Sequence, residues 1–376
     1  MSQQPSPNFF HHFASLEDQR VERTKDHALL DIVFIAVCAV ISGANDFVAM
    51  ATFGQSKRAW LDQYLDLPNG IPSHDTFNRV LSALDPQAFL QCFLNWIQTL
   101  TTATGTPLVH VDGKTLRASL DRAKARHPLH VVSAWAGVNR LVLGQVAVDE
   151  KSNEITAIPK LLEMLELHGA IVTMDAMGCQ KAIAAKIRER GADYVLTVKG
   201  NQEHLEEDVI EAFTQRDERS ARLPKAAACE EEETGHGRQE YRRYEALPVP
   251  TELRDAEAWK DLRSICRVSR TYTEGGESKS DVRYFISSLP PQAKKLAAAI
   301  RGHWGIENGL HWVLDMYFGE DRSRARSANA AENLALLRRW VLSLLRNDKA
   351  MTGSIEKKRL QAGWKETNLE KLLGLV

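Results

Sequence analysis

The chain has 376 residues, 44% of them hydrophobic and 26% charged, with 13 Pro and 22 Gly, a composition that excludes fibrous, low-complexity and largely disordered proteins and leaves room for two or three domains. Its formal net charge of -1 lacks the basic excess of a dedicated nucleic-acid-binding domain, so any contact with DNA has to come from local charge. Five cysteines, Cys38, Cys92, Cys179, Cys229 and Cys266, are odd in number and form no C-x-x-C pair, which argues against a disulfide framework or a zinc cluster and predicts reduced thiols.

Residues 1–13 are polar, contain Pro5 and Pro7 and lack the cationic flank and apolar stretch of a secretory signal, so a cytoplasmic protein is expected. The apolar run Leu29–Ile41 is interrupted by Asp31 and is shorter than the roughly 18 residues of a membrane span. It predicts a buried helix and no membrane partner. Residues 15–100 read as helical throughout, with Trp60-Leu61, Tyr64-Leu65, Phe77, Val80-Leu81, Leu84, Phe89-Leu90, Phe93 and Trp96-Ile97 recurring at three- and four-residue spacings. Within them Pro68-Asn69-Gly70-Ile71-Pro72-Ser73 is a turn whose Ser73 is placed to cap the next helix. A helical N-terminal domain over 1–100, with a candidate helix-turn-helix, follows. It is acidic, with six Lys or Arg against ten acids between residues 4 and 97. DNA contact there would be narrow, through Asn78 and Arg79 at the start of the capped helix; a packing or dimerisation module is the alternative.

After the Thr-rich stretch 99–106 the period changes to short Val-rich strands over 108–112, 129–136 and 141–148. A helix (158–167), a strand (171–175), a helix (180–189) and a strand (194–199) come next, which describes an α/β mixed sheet covered by helices. Strands return at 240–244, 263–270 and 282–287 and predict an inserted β subdomain at about 203–290 within a domain spanning 101–346. Helical patterns close it at 292–317 and 331–345, and residues 347–376 are a polar C-terminal tail without an assigned element. Two stretches are basic. Lys114, Arg117, Arg122, Lys124 and Arg126 face two acids between 112 and 130, and six Arg face two acids between 321 and 346, with Arg322, Arg324 and Arg326 at alternate positions. These suit the phosphates of a polyanion.

Asp112 and Asp175 each close a strand, where catalytic groups gather in such sheets, although Asp is also a common turn former. Glu307 lies in a helix read over 300–317 and shares a face with Ile300, His303, Trp304, Leu310, His311 and Leu314. A carboxylate half-buried there needs a metal or a protonated imidazole. The array of His303, Glu307 and His311 raises zinc, but no Cys accompanies it. Three carboxylates from two strands and a helix suit Mg²⁺ or Mn²⁺, and two such ions about 4 Å apart clamp both oxygens of an in-line phosphoryl transfer. Lys199, followed by Gly200-Asn201-Gln202, is a second phosphate candidate or a plain turn. Gly302, Gly305 and Gly309 each cost about 1 kcal/mol in a helix. They predict a bare stripe that lets the helix lie against the sheet and brings Glu307 to the two Asp; the alternative is a helix broken near Gly302.

The segments His110-Val111-Asp112-Gly113-Lys114, Thr173-Met174-Asp175-Ala176, Val198-Lys199-Gly200-Asn201-Gln202 and His303-Trp304-Gly305-Ile306-Glu307-Asn308, with His311-Trp312 and Leu314-Asp315, resemble those of the H-repeat-associated insertion-sequence transposases. Lys151-Ser152-Asn153-Glu154 and Gly70-Ile71-Pro72-Ser73-His74-Asp75-Thr76 extend the resemblance, which covers about residues 15–346. It implies an Asp-Asp-Glu transposase with a ribonuclease-H-like catalytic domain, Asp112, Asp175 and Glu307 as the metal-binding triad for two Mg²⁺ or Mn²⁺ ions, and a β insertion between the second Asp and the Glu. Cleavage at element ends and joining of the freed 3'-hydroxyls to target DNA are implied, with at least a homodimer when two ends are synapsed, at the nucleoid when bound to DNA. Around the Glu, related transposases often carry a Tyr, an Arg and a Lys where this chain has Ile300, His303 and Leu314. Their phosphate contacts do not carry over, and His303, Arg301 or Lys199 would substitute. A decayed copy that binds DNA without transposing, and a ribonuclease-H-like nuclease that cuts without joining, remain open at this point.

Overall fold

The computed structural model describes residues 9–21, 25–100, 108–120, 127–138, 140–148, 153–218, 226–235, 238–274 and 277–376. Arg122, Lys124, Arg126, Lys151 and Ser152, all singled out above, lie outside them.

The N-terminal part is helical as expected: α1 (Phe9–Phe13), α2 (Leu29–Ile41), α3 (Phe47–Ser56), α4 (Arg58–Leu61), α5 (His74–Ala83) and α6 (Pro86–Leu100). Apolar on every side, α2 is buried from Ile32 to Ile41, the position such a helix has to take. Asp46 caps α3 by accepting the Ala49 N–H at 2.8 Å, and Ser73 caps α5 through the Thr76 N–H at 3.2 Å. The candidate helix-turn-helix does not form around that cap. Residues 62–73 separate α4 from α5, far more than the roughly three- or four-residue turn of the motif.

Strands β1 (Leu108–Leu116), β2 (Leu129–Ala136) and β3 (Leu141–Val148) lead through α7 (Glu154–Met164), β4 (Ile171–Met174), α8 (Lys181–Glu189) and β5 (Asp193–Val198) to α9 (Glu203–Glu218). The inserted strands are β6 (Ala227–Gly235), β7 (Arg238–Pro248), β8 (Ser264–Glu274) and β9 (Glu277–Ser287). All nine form one sheet in the order β3-β2-β1-β4-β5-β9-β8-β7-β6. β1 is antiparallel to β2 and parallel to β4, β4 is parallel to β5, and β5 is antiparallel to β9. This is the mixed α/β sheet the sequence led us to expect. Through β9 the insertion extends that sheet instead of forming a separate one. β6, the edge strand, carries the acidic run 230–233, of which Glu230 pairs with Arg243 and Glu233 with Arg242.

Beyond the sheet come α10 (Ala293–Ile306), one π-helical turn (Glu307–His311), α11 (Trp312–Phe318) and α12 (Ala330–Asn347). The polar tail folds as α13 (Ile355–Trp364) and α14 (Glu366–Leu372). Ala362, Leu369, Leu372 and Leu373 join the core formed by α2, α6 and α12, and Glu370 accepts hydrogen bonds from Trp60 Nε1 and Tyr64 Oη, both 2.9 Å. Few apolar residues suffice there because the N-terminal helices supply the opposite face, which local sequence does not reveal. All five cysteines are free, and among the described residues no helix is long and apolar enough to cross a membrane.

Asp31, in the first turn of α2, is pushed up to about 6 by burial and by the nearby charge of Asp66. A carboxylate whose folded pKa exceeds its unfolded value of about 3.9 binds more protons in the folded state, so ionisation progressively removes stability as pH rises from about 4 to about 6. Asp31→Asn should therefore raise the melting temperature at pH 7.5, with the difference shrinking towards pH 4. Equal melting at both pH values would show that Asp31 ionises without cost.

Candidate active site

Strand register brings the two aspartates together. β1 and β4 pair in parallel through Val111 and Met174, so Asp112 and Asp175 are the next residue along each chain. β1 itself continues to Leu116 against β2, so Asp112 closes only its pairing with β4, while Asp175 lies just past the end of its strand. Asp175 Oδ1 accepts the backbone N–H of Met177 at 3.0 Å and of Gly178 at 3.4 Å. Asn201 and Gln202 brace that loop, donating to the carbonyls of Ala176 at 2.7 Å and Cys179 at 3.0 Å. The sequence offers both as phosphate contacts; in the structure their side-chain amides brace this loop.

Glu307 opens the π turn. Such turns recur at functional sites because the extra residue re-aims the side chains around it. In place of the half-buried position expected, Glu307 is exposed on the cleft wall. The three carboxylates line one cleft of about 250 Å³, with Thr173, Lys199, Arg283, His303 and Trp304 also on its walls.

The histidines divide their roles. His311 Nε2 is hydrogen-bonded to Asp112 Oδ2 at 3.1 Å, while the Gly113 N–H donates to Asp112 Oδ1 at 2.9 Å. His303 Nδ1 is hydrogen-bonded at 2.8 Å to Thr173 Oγ1, which in turn is 2.7 Å from Nδ1 of the fully buried His110. Burial lowers the pKa of both outer rings, His110 to about 3 and His303 against the opposing pull of Asp112. His303 is therefore a neutral hydrogen-bonding group near pH 7, not the cation that sequence reasoning allowed for Glu307. Tied to different partners, His303 and His311 do not form a zinc array with Glu307.

Lys114 does not face the cleft as a free cation. It pairs with Asp315 and lies 3.3 Å from Glu320, with a side chain only 9% exposed. Glu320 and Arg339, both fully buried, form an ion pair at 2.5 Å, and Arg339 Nε donates to Ser133 Oγ at 3.2 Å. Burial would push Glu320 up, but Arg339, Lys114 and Arg338 outweigh it and hold the carboxyl below its usual range. Arg322, Arg324 and Arg326 are all exposed on the segment after Glu320, and Arg326 Nε also donates to the Ala118 carbonyl at 3.2 Å. On α5, Arg79 is exposed and Asn78 half-buried, away from the residues that line the cleft.

In the sequence Glu154 stands out only as the end of the segment Lys151-Ser152-Asn153-Glu154. Its carboxylate is 2.6 Å from His130 Nε2 and takes up the space that the missing side chain of Gly113 leaves beside Asp112. Asp175 is raised above the usual carboxylate range by burial, then by Asp112 and by Glu154. Like-charged oxygens gathered at one cleft are a donor set whose repulsion a divalent cation relieves, and hard oxygen donors are what Mg²⁺ prefers. Among the described residues no three His, Cys, Asp or Glu side chains stand ready to hold an ion unaided.

A family model described as Transposase DDE domain matches residues 103–344, and one described as DDE_Tnp_1-associated matches residues 10–97. The H repeat-associated putative transposase YhhI of Escherichia coli (strain K12) is 40% identical over 367 residues, covering 96% of this chain and 96% of that protein. Putative transposase YncI of Escherichia coli O157:H7 is 41% identical over 363 residues, 95% of this chain and 92% of that one. A cryo-EM structure of the piggyBac transposase synaptic complex with hairpin DNA aligns with a TM-score of 0.40 and 11% identity, over 94% of this chain and 75% of that chain.

The bare stripe holds at two of its three glycines. A Cβ on Gly302 would lie 2.9 Å from His110 Cε1 and one on Gly309 3.3 Å from Trp135, whereas one on Gly305 would meet nothing within 4 Å. Gly302→Ala should lower the melting temperature, an overpacking cost of about 1–3 kcal/mol, and Gly305→Ala should stabilise by up to about 1 kcal/mol through helix propensity. Urea denaturation of both variants tests this; a Gly302→Ala protein as stable as wild type would remove close approach as the reason for that glycine.

Proposed function

The chain belongs to the transposase family defined by the Transposase DDE domain, and from that membership we propose that it cuts DNA at the ends of a mobile element and joins the freed 3'-hydroxyls to target DNA. Asp112, Asp175 and Glu307 are the carboxylates on which the reaction depends. The observation that carries this reading is their convergence on one cleft from a strand, a strand end and a π turn.

Mg²⁺ or Mn²⁺, when bound to these carboxylates, supplies charge stabilisation at the transferring phosphoryl group and a more acidic attacking water or hydroxyl. The protein's own groups do the positioning. His311 and the Gly113 N–H fix the two oxygens of Asp112, and the Met177 and Gly178 N–H groups fix one oxygen of Asp175. Thr173 orients His303 on the cleft wall. Lys199, exposed at the mouth of the cleft, is a phosphate contact. Two DNA ends held for joining call for two copies of the chain.

Asp112→Asn, Asp175→Asn and Glu307→Gln should each abolish Mg²⁺-dependent cleavage of DNA carrying the sequences that flank the gene, while binding of that DNA persists. Full cleavage by any one of the three would overturn the assignment.

The exposed residues Arg322, Arg324 and Arg326 supply DNA phosphate contacts beside the cleft. Each phosphate neutralised adds about 0.9 to the slope of log affinity against log salt. Replacing all three with Ala should flatten that slope by one such increment for each arginine that holds a phosphate, and an unchanged slope would mean that none touches the backbone.

A further inference from the structure

We infer that Arg283, carried by the inserted strand β9, is the cation that holds a DNA phosphate inside the acid cleft. The inference rests on the transposase reading above and assigns to the β insertion a direct part in the active site.

On the helix that leads to Glu307, Arg301 is paired with Glu233 at 2.6 Å and is not among the residues lining the cleft. Ile300 and Leu314 are buried and apolar, and His303 is neutral near pH 7 for the reasons given above. Among the residues that line the cleft, only Lys199 and Arg283 carry a positive side chain. The register explains why they occur together. β5 and β9 pair antiparallel through Val198 and Tyr284, so Lys199 and Arg283 occupy the next position on each strand, facing each other across the end of the ladder.

Arg283 is also the least neutralised member of a row. Arg242 on β7 is directly opposite Arg270 on β8, and Arg270 opposite Asp281 on β9, so these residues share one face of the sheet with Arg283. Arg242, 7% exposed, lies between Glu233 at 3.1 Å and Glu240 at 2.5 Å. Arg270, 17% exposed, pairs with Glu240 and is 3.8 Å from Asp281. Arg283 is 42% exposed and has Asp281 at 3.2 Å, an acid it shares with Arg270. Two of the three arginines are thus held within the sheet, and the third opens to the cleft.

Trp304 fixes the direction of Arg283. The guanidinium lies 5.0 Å from the centre of the Trp304 ring, with Arg270 5.2 Å from the same ring. Trp304 precedes Glu307 by one helical turn, so the contact ties β9 to the segment that carries the third carboxylate. Stacking on an aromatic face leaves the N–H edge of a guanidinium available, and that planar fork matches two phosphate oxygens.

The test uses the full-length protein and a duplex carrying the flanking sequence of the gene, with binding followed by fluorescence anisotropy across a salt series. An Asp112→Asn background separates binding from cleavage. Arg283→Gln should weaken binding about tenfold at low salt and lower the salt slope by about 0.9, while Arg283→Lys keeps most of the slope. Arg254→Gln is the control, because Arg254 is paired with Glu207 and Asp208 and is not among the residues lining the cleft; it should leave the slope unchanged. Neutralising single phosphates as methylphosphonates should then reveal one position that weakens binding by the parent protein but not by Arg283→Gln. A fold defect would lower the melting temperature without selecting one phosphate. If the parent binds and Arg283→Gln keeps its slope and its sensitivity at every phosphate, Arg283 does not hold DNA, although the transposase reading stands. Failure of the parent to bind, or of the unmutated chain to cut with Mg²⁺, removes that reading and Arg283's role together.

Discussion

The placement of Glu307 relative to Asp112 depends on a buried ionic network. Lys114 lies two residues beyond Asp112 on β1 and pairs with Asp315 within α11 and with Glu320 just after it, while Glu320 is held by Arg339 of α12 and Arg339 by Ser133 of β2. The segment that starts at Glu307 is thereby tied, within α11 and just past its end, to the strand that carries Asp112. A buried ion pair of this kind adds little net stability over well-packed apolar residues, yet removing one partner costs about 3–5 kcal/mol because it strands a charge. Apolar packing would tolerate sliding of α11 along the sheet. Three carboxylate–cation pairs with fixed partners do not, and fixed placement is what a catalytic carboxylate needs.

The inserted strands reinforce the same placement from the other side. α10 packs over the insertion's inner face through Leu296, Ala297 and Ile300 against Tyr244, Cys266 and Phe285. Because β9 is hydrogen-bonded to β5, that face is continuous with the strands bearing Asp112 and Asp175. Helix and insertion are therefore packed as one body with the strands that carry Asp112 and Asp175. Gly302 and Gly309 allow this close seating by leaving room for His110 and Trp135.

Much of this was legible in the sequence. Val-rich strands, the largely apolar α2, the Ser73 cap and the strand-end position of Asp175 all express short-range rules of period and capping. The motifs also located Glu307. What stayed hidden depends on partners far away in the chain. Lys114 reads as part of a basic cluster until Asp315 and Glu320 fold against it, and Glu307 reads as half-buried until the π turn places it on the cleft wall. No spacing rule announces a π turn, since one extra residue in a helix leaves the apolar pattern nearly intact. Gly305 resembled its neighbours in sequence, but it faces open space. The C-terminal helices escaped notice because their apolar face is narrow and needs α2 and α12 to complete it.

Net charge hides local pairing for a related reason. A chain at -1 can still present cations to a polyanion if its acids are engaged elsewhere, and the inserted sheet does this extensively. Arg243 pairs with Glu230 and Glu245, Arg267 with Asp217 and Glu245, and Arg242 with Glu233 and Glu240. These arginines and acids neutralise one another in place and contribute little field at a distance. The segment after Glu320 is arranged differently: Ala325 is buried while Arg322, Arg324 and Arg326 point outward. The buried Glu320 anchors its start through Arg339, so the row is held without drawing acids to its outer face. Which cations a fold leaves unsatisfied at its surface is a quantity that composition averages away.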